Sequence, residues 1–206
     1  MGPDPDPAGL PDGLDAGGWT ERDRTVESPV DLPTASVRGH TAVYEDAALR
    51  ESVRDATAGT LDRTWRFFFA SRVVVSPLPP GVGTAALFPT VAAAARESFA
   101  DDLRDRGFAD LNRRRVGRVR VGTGDRATLT RYDGVLPVER GGDRRDLPVE
   151  ALLAVWSRDR SFRVAGGGYP TDGFASVLDG DERAAVDARS GTEYREALLD
   201  LVRGVE

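Results

Sequence analysis

Residues 118–132, RVRVGTGDRATLTRY, decide how the rest of the chain is read. Val119 and Val121 mark a strand, and Gly122, Gly124 and Ala127 then match the G-x-G-x-x-G/A spacing of a dinucleotide-binding turn. Such a turn works only when a helix comes directly after it, because the first N–H groups of that helix hold the pyrophosphate. The next residues, 127–138, are ATLTRYDGVLPV. They are rich in β-branched and aromatic side chains, include Gly134 and Pro137, and show no 3.6-residue apolar face. Two β stretches around Gly-Thr-Gly-Asp predict a hairpin instead. The chain is therefore expected to bind no NAD.

On either side of the hairpin the pattern stays β from 112 to 167, with strands expected at about 112–121, 126–138, 149–157 and 161–167. LLAVW, residues 152–156, is apolar on both faces and reads as a central strand. Upstream, a helix is expected over about 89–106. Pro89 suits its first turn, Val91, Ala95, Phe99 and Leu103 recur every four residues beside Ala92, and Gly107 fits a Schellman end. Before it, TWRFFFASRVVVSP puts Trp65, Phe67, Phe69, Val73 and Val75 on one side of a strand. A helix over 46–58 is capped by Asp46, buries Leu49, Val53 and Ala56, and stops with Gly59 at C′. ASVRGHTAVYED, residues 35–46, reads as a strand containing a Gly. The last helix, about 193–203, is capped by Thr192 and presents Tyr194, Ala197, Leu198, Leu201 and Val202. A short helical turn is expected near 181–187. The class is α+β, an antiparallel sheet flanked by helices.

Residues 1–24 are rich in Pro, Gly and Asp and read as a mostly disordered tail, and the sequence leaves open whether its Trp19 docks on the domain. A loop with Pro29 and Pro33 comes next, and 25–206 form a single domain. No apolar run approaches the ~20 residues of a bilayer span. The N-terminus has no charged segment leading into an apolar one, so the expected location is the cytoplasm.

All 28 basic residues are Arg, and the 34 acids include 23 Asp, for a net charge of −6. A Lys-free, Asp-rich surface suits a cytosol at molar salt, since short carboxylates keep a protein hydrated and Lys stems add exposed apolar surface. GC-rich codons favour the same residues. With no Cys, disulfides, thiolate metal sites and a Cys nucleophile are excluded.

The hairpin carries the densest charge. Arg113, Arg114, Arg115, Arg118, Arg120, Arg126 and Arg131 stand against Asp125 alone, so residues 113–131 carry +6 and the remainder −12. Arg114, Arg118 and Arg120 are the candidate partner-binding residues. The plainer reading is a solvated Arg face that pairs with neighbouring Asp and discourages edge pairing, and it stands ahead of phosphate binding. No aromatic precedes Tyr132 in the stretch, and a Debye length near 3 Å at 1 M salt weakens phosphate attraction. Nucleic acid is thus expected to bind weakly or not at all.

Elsewhere the chemistry is sparse. His40 is the single His and reads as an ordinary strand residue; no G-x-S-x-G elbow accompanies it. AGGGYP, residues 165–170, reads as a tight loop rather than an anion nest, because Tyr and Pro come after the glycines. In LDGDE, residues 178–182, Asp181 caps a short helix, and the spacing of a calcium loop is missing. Asp101 and Asp102 belong to the outer face of the long helix. No catalytic, cofactor or metal site is expected.

The long helix FPTVAAAARESFADDLRDRGF, the strands RVRVGTGDRATLTRYDGVLPV and the stretch LLAVWSRDRSFRVAGGGYP before the closing helix together resemble the PsbP-like α/β/α sandwich over about residues 35–203. The composition resembles that of a family of small haloarchaeal proteins without an assigned function. Members of the PsbP-like group act as non-catalytic partners of larger assemblies, and the resemblance implies the same here, with no residue roles carried over. The expectation is a non-enzymatic cytoplasmic module of a halophile that binds a protein or a small ligand. A hydrolase-like enzyme using carboxylates and a hard cation is the alternative, and weak nucleic-acid binding through residues 113–131 is a second.

Overall fold

The hairpin forms where the sequence puts it. The computed structural model describes residues 6–12, 14, 17–32, 35–77 and 83–206, with the backbone alone for 27–32 and 35–36. In chain order its elements are β1 (Trp19–Leu32), β2 (Ala35–Asp46), α1 (Ala47–Ala56), β3 (Phe67–Ser76), α2 (Thr84–Asp105), β4 (Ala109–Arg120), β5 (Arg126–Arg140), β6 (Asp143–Arg158), β7 (Ser161–Pro170), α3 (Gly180–Ala185) and α4 (Gly191–Arg203). The seven strands make one antiparallel sheet in the order β1-β2-β3-β7-β6-β5-β4. The fold is α+β.

Between β4 and β5, Gly124 N–H donates to the Val121 carbonyl and Val121 N–H to the Asp125 carbonyl, at 2.9 and 3.0 Å. Gly124 has φ +89°, which the turn needs and a side chain resists. Gly122 is needed for a different reason: its N–H donates to the Arg203 carbonyl at 2.7 Å, and a Cβ there would sit 2.9 Å from that oxygen. The tip of the hairpin is thus tied to the end of α4, not to a cofactor.

Strand pairing divides side chains between two faces. On one face lie Phe67, Phe69 and Tyr132, and Phe99 of α2 packs its ring within 6.4, 5.4 and 5.4 Å of theirs. On the other lie Phe68 and Gly167, over which α4 seats Leu198. Residues 151–156 of β6 are all buried, as LLAVW requires of a central strand. β7 enters between β3 and β6 and is buried along its whole length.

Several boundaries differ from the sequence reading. β1 takes in residues 19–24, which composition assigns to the tail, and continues through Pro29. The chain tolerates Pro29 because β1 is an edge strand and the pairing slips between Glu27 and Val30. Pro33 lies outside the described residues. α2 begins at Thr84, so Pro89 sits inside it rather than in its first turn. Leu87, Phe88 and Val91 pack against Val37, Val75 and Phe162, and that burial offsets the hydrogen bond lost at Pro89. Trp65 precedes β3, and β6 starts at Asp143, six residues before the expected strand start at 149.

The caps also shift. Asp46 caps α1 as expected, accepting from Leu49 N–H at 3.0 Å. At its end Ala58 occupies C′ and Gly59 comes next, both with positive φ. Gly107 does end α2 in a Schellman pattern, with Phe108 N–H donating to the Leu103 carbonyl at 2.9 Å. α3 is capped by Asp179 rather than Asp181, with the Glu182 carboxylate accepting from the Asp179 N–H. α4 is capped by Ser190 rather than Thr192, because Glu193 completes a capping box.

The AGGGYP expectation fails outright. Residues 165–170 are strand, and Gly166, Gly167 and Gly168 are close-approach glycines rather than loop glycines. A Cβ at Gly166 would lie 2.2 Å from the Leu152 carbonyl oxygen, and one at Gly167 2.1 Å from the Phe67 carbonyl oxygen.

Trp19 docks. It is buried against Phe68 with ring centroids 6.4 Å apart. The Arg66 guanidinium sits over its ring at 4.6 Å and over Tyr194 at 5.0 Å. Beyond the far end of α4, Gly9 and Glu206 exchange both backbone hydrogen bonds.

Candidate binding face

β4 is an edge strand, and its irregularities decide where its arginines stand. Its pairing with β5 slips between Ala109 and Asn112 and again between Arg115 and Gly117, leaving Val116 as an extra residue. Gly117 has φ +133°, which permits the bulge. Arg113 and Arg115 face Tyr132 and Thr130, and after the bulge Arg118 and Arg120 face Thr128 and Arg126. Without Val116 the second pair would point to the opposite face. With it, Arg113, Arg115, Arg118, Arg120 and Arg126 share the α2 face at the open edge of the sheet.

All five are exposed. Among the described residues none forms an ion pair with a carboxylate. Arg120 donates to the Gly124 carbonyl at 3.1 Å. Tyr132 donates its hydroxyl to the Arg96 carbonyl at 2.9 Å, and burial pushes its pKa up against the pull of nearby Arg113. Between α2 and β4 runs a groove of about 420 Å³, lined by Arg96, Arg104 and Arg113 together with Glu97 and Asp101. Arg104 is held by Asp101 at 2.6 Å.

The structure brings Arg118 and Arg120 together and leaves Arg114 apart. Arg114 pairs across the strands with Arg131 and therefore shares the α4 face. There Asp133 lies 3.8 Å from Arg114 and 3.1 Å from Arg131. The sequence reading missed Arg113 and Arg115 as partners of Arg118, and Arg96 and Arg104 as the facing wall. The signal was Gly117, since a lone Gly within a strand marks a bulge.

The remaining candidates are occupied structurally. His40 lies on β2, paired across the sheet with Arg72 and Val26. Asp102 holds Arg106 at 2.8 Å, and Glu182 receives Arg140 on both oxygens at 2.6 Å. Asp125 accepts from the Thr123 hydroxyl at 2.8 Å and from Arg158 at 3.0 Å, which together hold its carboxyl below the usual range. That contribution is present above the ordinary Asp value of about 3.9 and is lost as pH falls through the lower folded value. Asp125→Asn should therefore lose a little stability at neutral pH and nothing in strong acid, a difference that paired melts at the two pH values would read. Solvent screening keeps it small.

A second cleft, of about 340 Å³, lies among the N-terminal segment, α1 and α4. Arg66 lines it, but its charge is spent on Asp46 at 2.9 Å and on the two rings that enclose it. Among the described residues, no group of three His, Cys, Asp or Glu is placed to hold a metal ion.

The family model for a Domain of unknown function (DUF6517) matches residues 7–206. The chain belongs to the DUF6517 family. Neither curated proteins nor solved structures give a match. Among the described residues of this DUF6517 chain, no helix is long and apolar enough to cross a membrane.

Proposed function

We propose that this DUF6517 chain is a non-enzymatic binding module of the cytoplasm of a halophile, and that it holds an acidic protein partner on the α2 face of the β4–β5 hairpin. The PsbP-like sandwich is the architecture this reading adopts, with α2 and α4 on opposite faces of the sheet. The observation that carries it is the set of five exposed arginines on one face, free of carboxylate partners among the described residues, which Arg118 and Arg120 join through the Val116 bulge. A chain with net charge −6 keeps such a set only at some cost in self-attraction that it leaves unused.

Acidic protein suits the face better than nucleic acid. The groove beside it has no aromatic side chain on which a base could stack. At molar salt only contact-range pairs keep their strength, which favours carboxylates seated directly on guanidinium groups.

Arg118→Glu/Arg120→Glu tests the reading. Both side chains are exposed, so the melting temperature should stay within about 2 °C of the parent. The tagged parent, captured from its native host in molar KCl, should bring down a stoichiometric acidic protein, and the variant should lose it. A partner retained by the variant would overturn the reading, as would saturable turnover of a substrate abolished by one substitution.

A further inference from the structure

The open edge of β4 offers more than a charged face. Among the described residues β4 pairs with β5 alone, so its outward N–H and C=O groups meet no other strand. Resting on the basic-face reading, we propose that this edge accepts an added β-strand: an extended segment of an acidic protein with carboxylates at alternate positions.

The pattern of side chains selects that occupant. In a strand, alternate residues point to one face about 6.6–6.8 Å apart. Arg113 and Arg115 keep that spacing before the bulge, and Arg118 and Arg120 keep it after. A strand added alongside would place its own same-face side chains directly opposite these four, with Cβ atoms about 4.5–5.5 Å away. Carboxylates there would pair with every guanidinium. A second copy of β4 would set Arg against Arg at each position, which directly opposed like charges make unfavourable. The edge thus disfavours self-pairing and favours an acidic strand, a discrimination that depends on repulsion as much as attraction.

The bulge contributes twice. It puts both Arg pairs on one face, and it leaves an exposed apolar residue, Val116 at 53%, between them in the chain. Backbone hydrogen bonds from the edge would supply affinity that salt does not screen, and the alternating carboxylates would supply the register.

Four labelled peptides of about ten residues test this against the full chain in roughly 0.1 to 2 M KCl. One alternates Glu with Thr. One has the same composition with its Glu residues in a single block. The other two alternate Glu with Thr and carry N-methyl groups on every second amide, one in each phase. The alternating peptide should bind about tenfold or more tighter than the block peptide. One N-methylated phase should lose binding while the other keeps it, because only one set of amides faces β4. Backbone amide resonances of residues 112–120 should shift on binding. Arg118→Glu/Arg120→Glu should lose the alternating Glu peptide. Equal binding of the alternating and block peptides, or indifference to methylation in both phases, would overturn strand addition while leaving the basic-face reading intact. If no acidic peptide binds and the captured partner ignores Arg118→Glu/Arg120→Glu, both readings fall.

Discussion

Gly167→Ala should destabilise the chain by about 3 kcal/mol, the upper end of what added core volume costs. A single methyl group does this because of where β7 runs. It lies between β3 and β6, and a Cβ at position 167 would stand 2.1 Å from the Phe67 carbonyl oxygen and 3.0 Å from Leu198 Cδ1. The first neighbour is backbone in a paired strand and the second anchors α4, so neither moves freely. For a chain of this size the loss should lower the melting temperature by roughly 6–12 °C. Gly180→Ala is the matched control: nothing lies within 4 Å of its Cβ position, and its stability should change by no more than about 0.5 kcal/mol. Thermal unfolding monitored by circular dichroism, with both variants in the same salt, separates the two. A Gly167→Ala variant that melts with the control would mean that β3 and β7 leave room for a methyl group between them.

The glycines show why some of this molecule was legible in its sequence and some was not. Gly107 and the Gly122–Asp125 turn were readable because their roles are local: a helix stop and a hairpin tip depend on residues nearby in the chain. Gly166–Gly168 were misread as loop glycines because their constraint comes from Phe67 and Leu152, distant in sequence and invisible to local pattern. The same division runs through the rest. The α2 stripe from Ala92 to Leu103 and the two-sided apolar LLAVW announce their burial by periodicity. The first turns of α2 do not, because Pro89 argues locally for a later start and only the packing of Leu87 and Phe88 overrides it. At the candidate face the charge was legible and its arrangement was not. A run of arginines can be counted, but one extra residue at Val116 decides that Arg118 and Arg120 join Arg113 and Arg115 rather than Arg114.

Glu150→Ala should cost a comparable amount, by a different mechanism. Glu150 sits on β6, 3% exposed, on the α4 face. Tyr169 donates its hydroxyl to the carboxylate, and Arg195 of α4 donates Nε and Nη2 at 2.7 and 2.6 Å. Arg131 adds a third cationic contact at 3.5 Å. Burial pushes the Tyr169 pKa far up, with Glu150 adding to it, so the phenol stays a donor throughout the ordinary pH range. The cluster ties α4 to the centre of the sheet and links β5, β6 and β7. Removing the carboxylate strands a buried hydroxyl and the Arg195 guanidinium, while Arg131 keeps Asp133 at 3.1 Å, and breaking such a buried pair costs about 3–5 kcal/mol. Arg195 is partly exposed and can turn to water, which places the loss near the lower figure. Denaturant melts of Glu150→Ala, Arg195→Ala and the double variant should show the double variant more stable than the sum of the two losses allows, by about 1 kcal/mol or more. Strict additivity would mean that the two side chains do not share one buried network. A triple replacement, Glu150→Leu with Arg195→Leu and Tyr169→Phe, should recover most of the loss, because the cost lies in unpaired charge rather than in the missing ion pair itself.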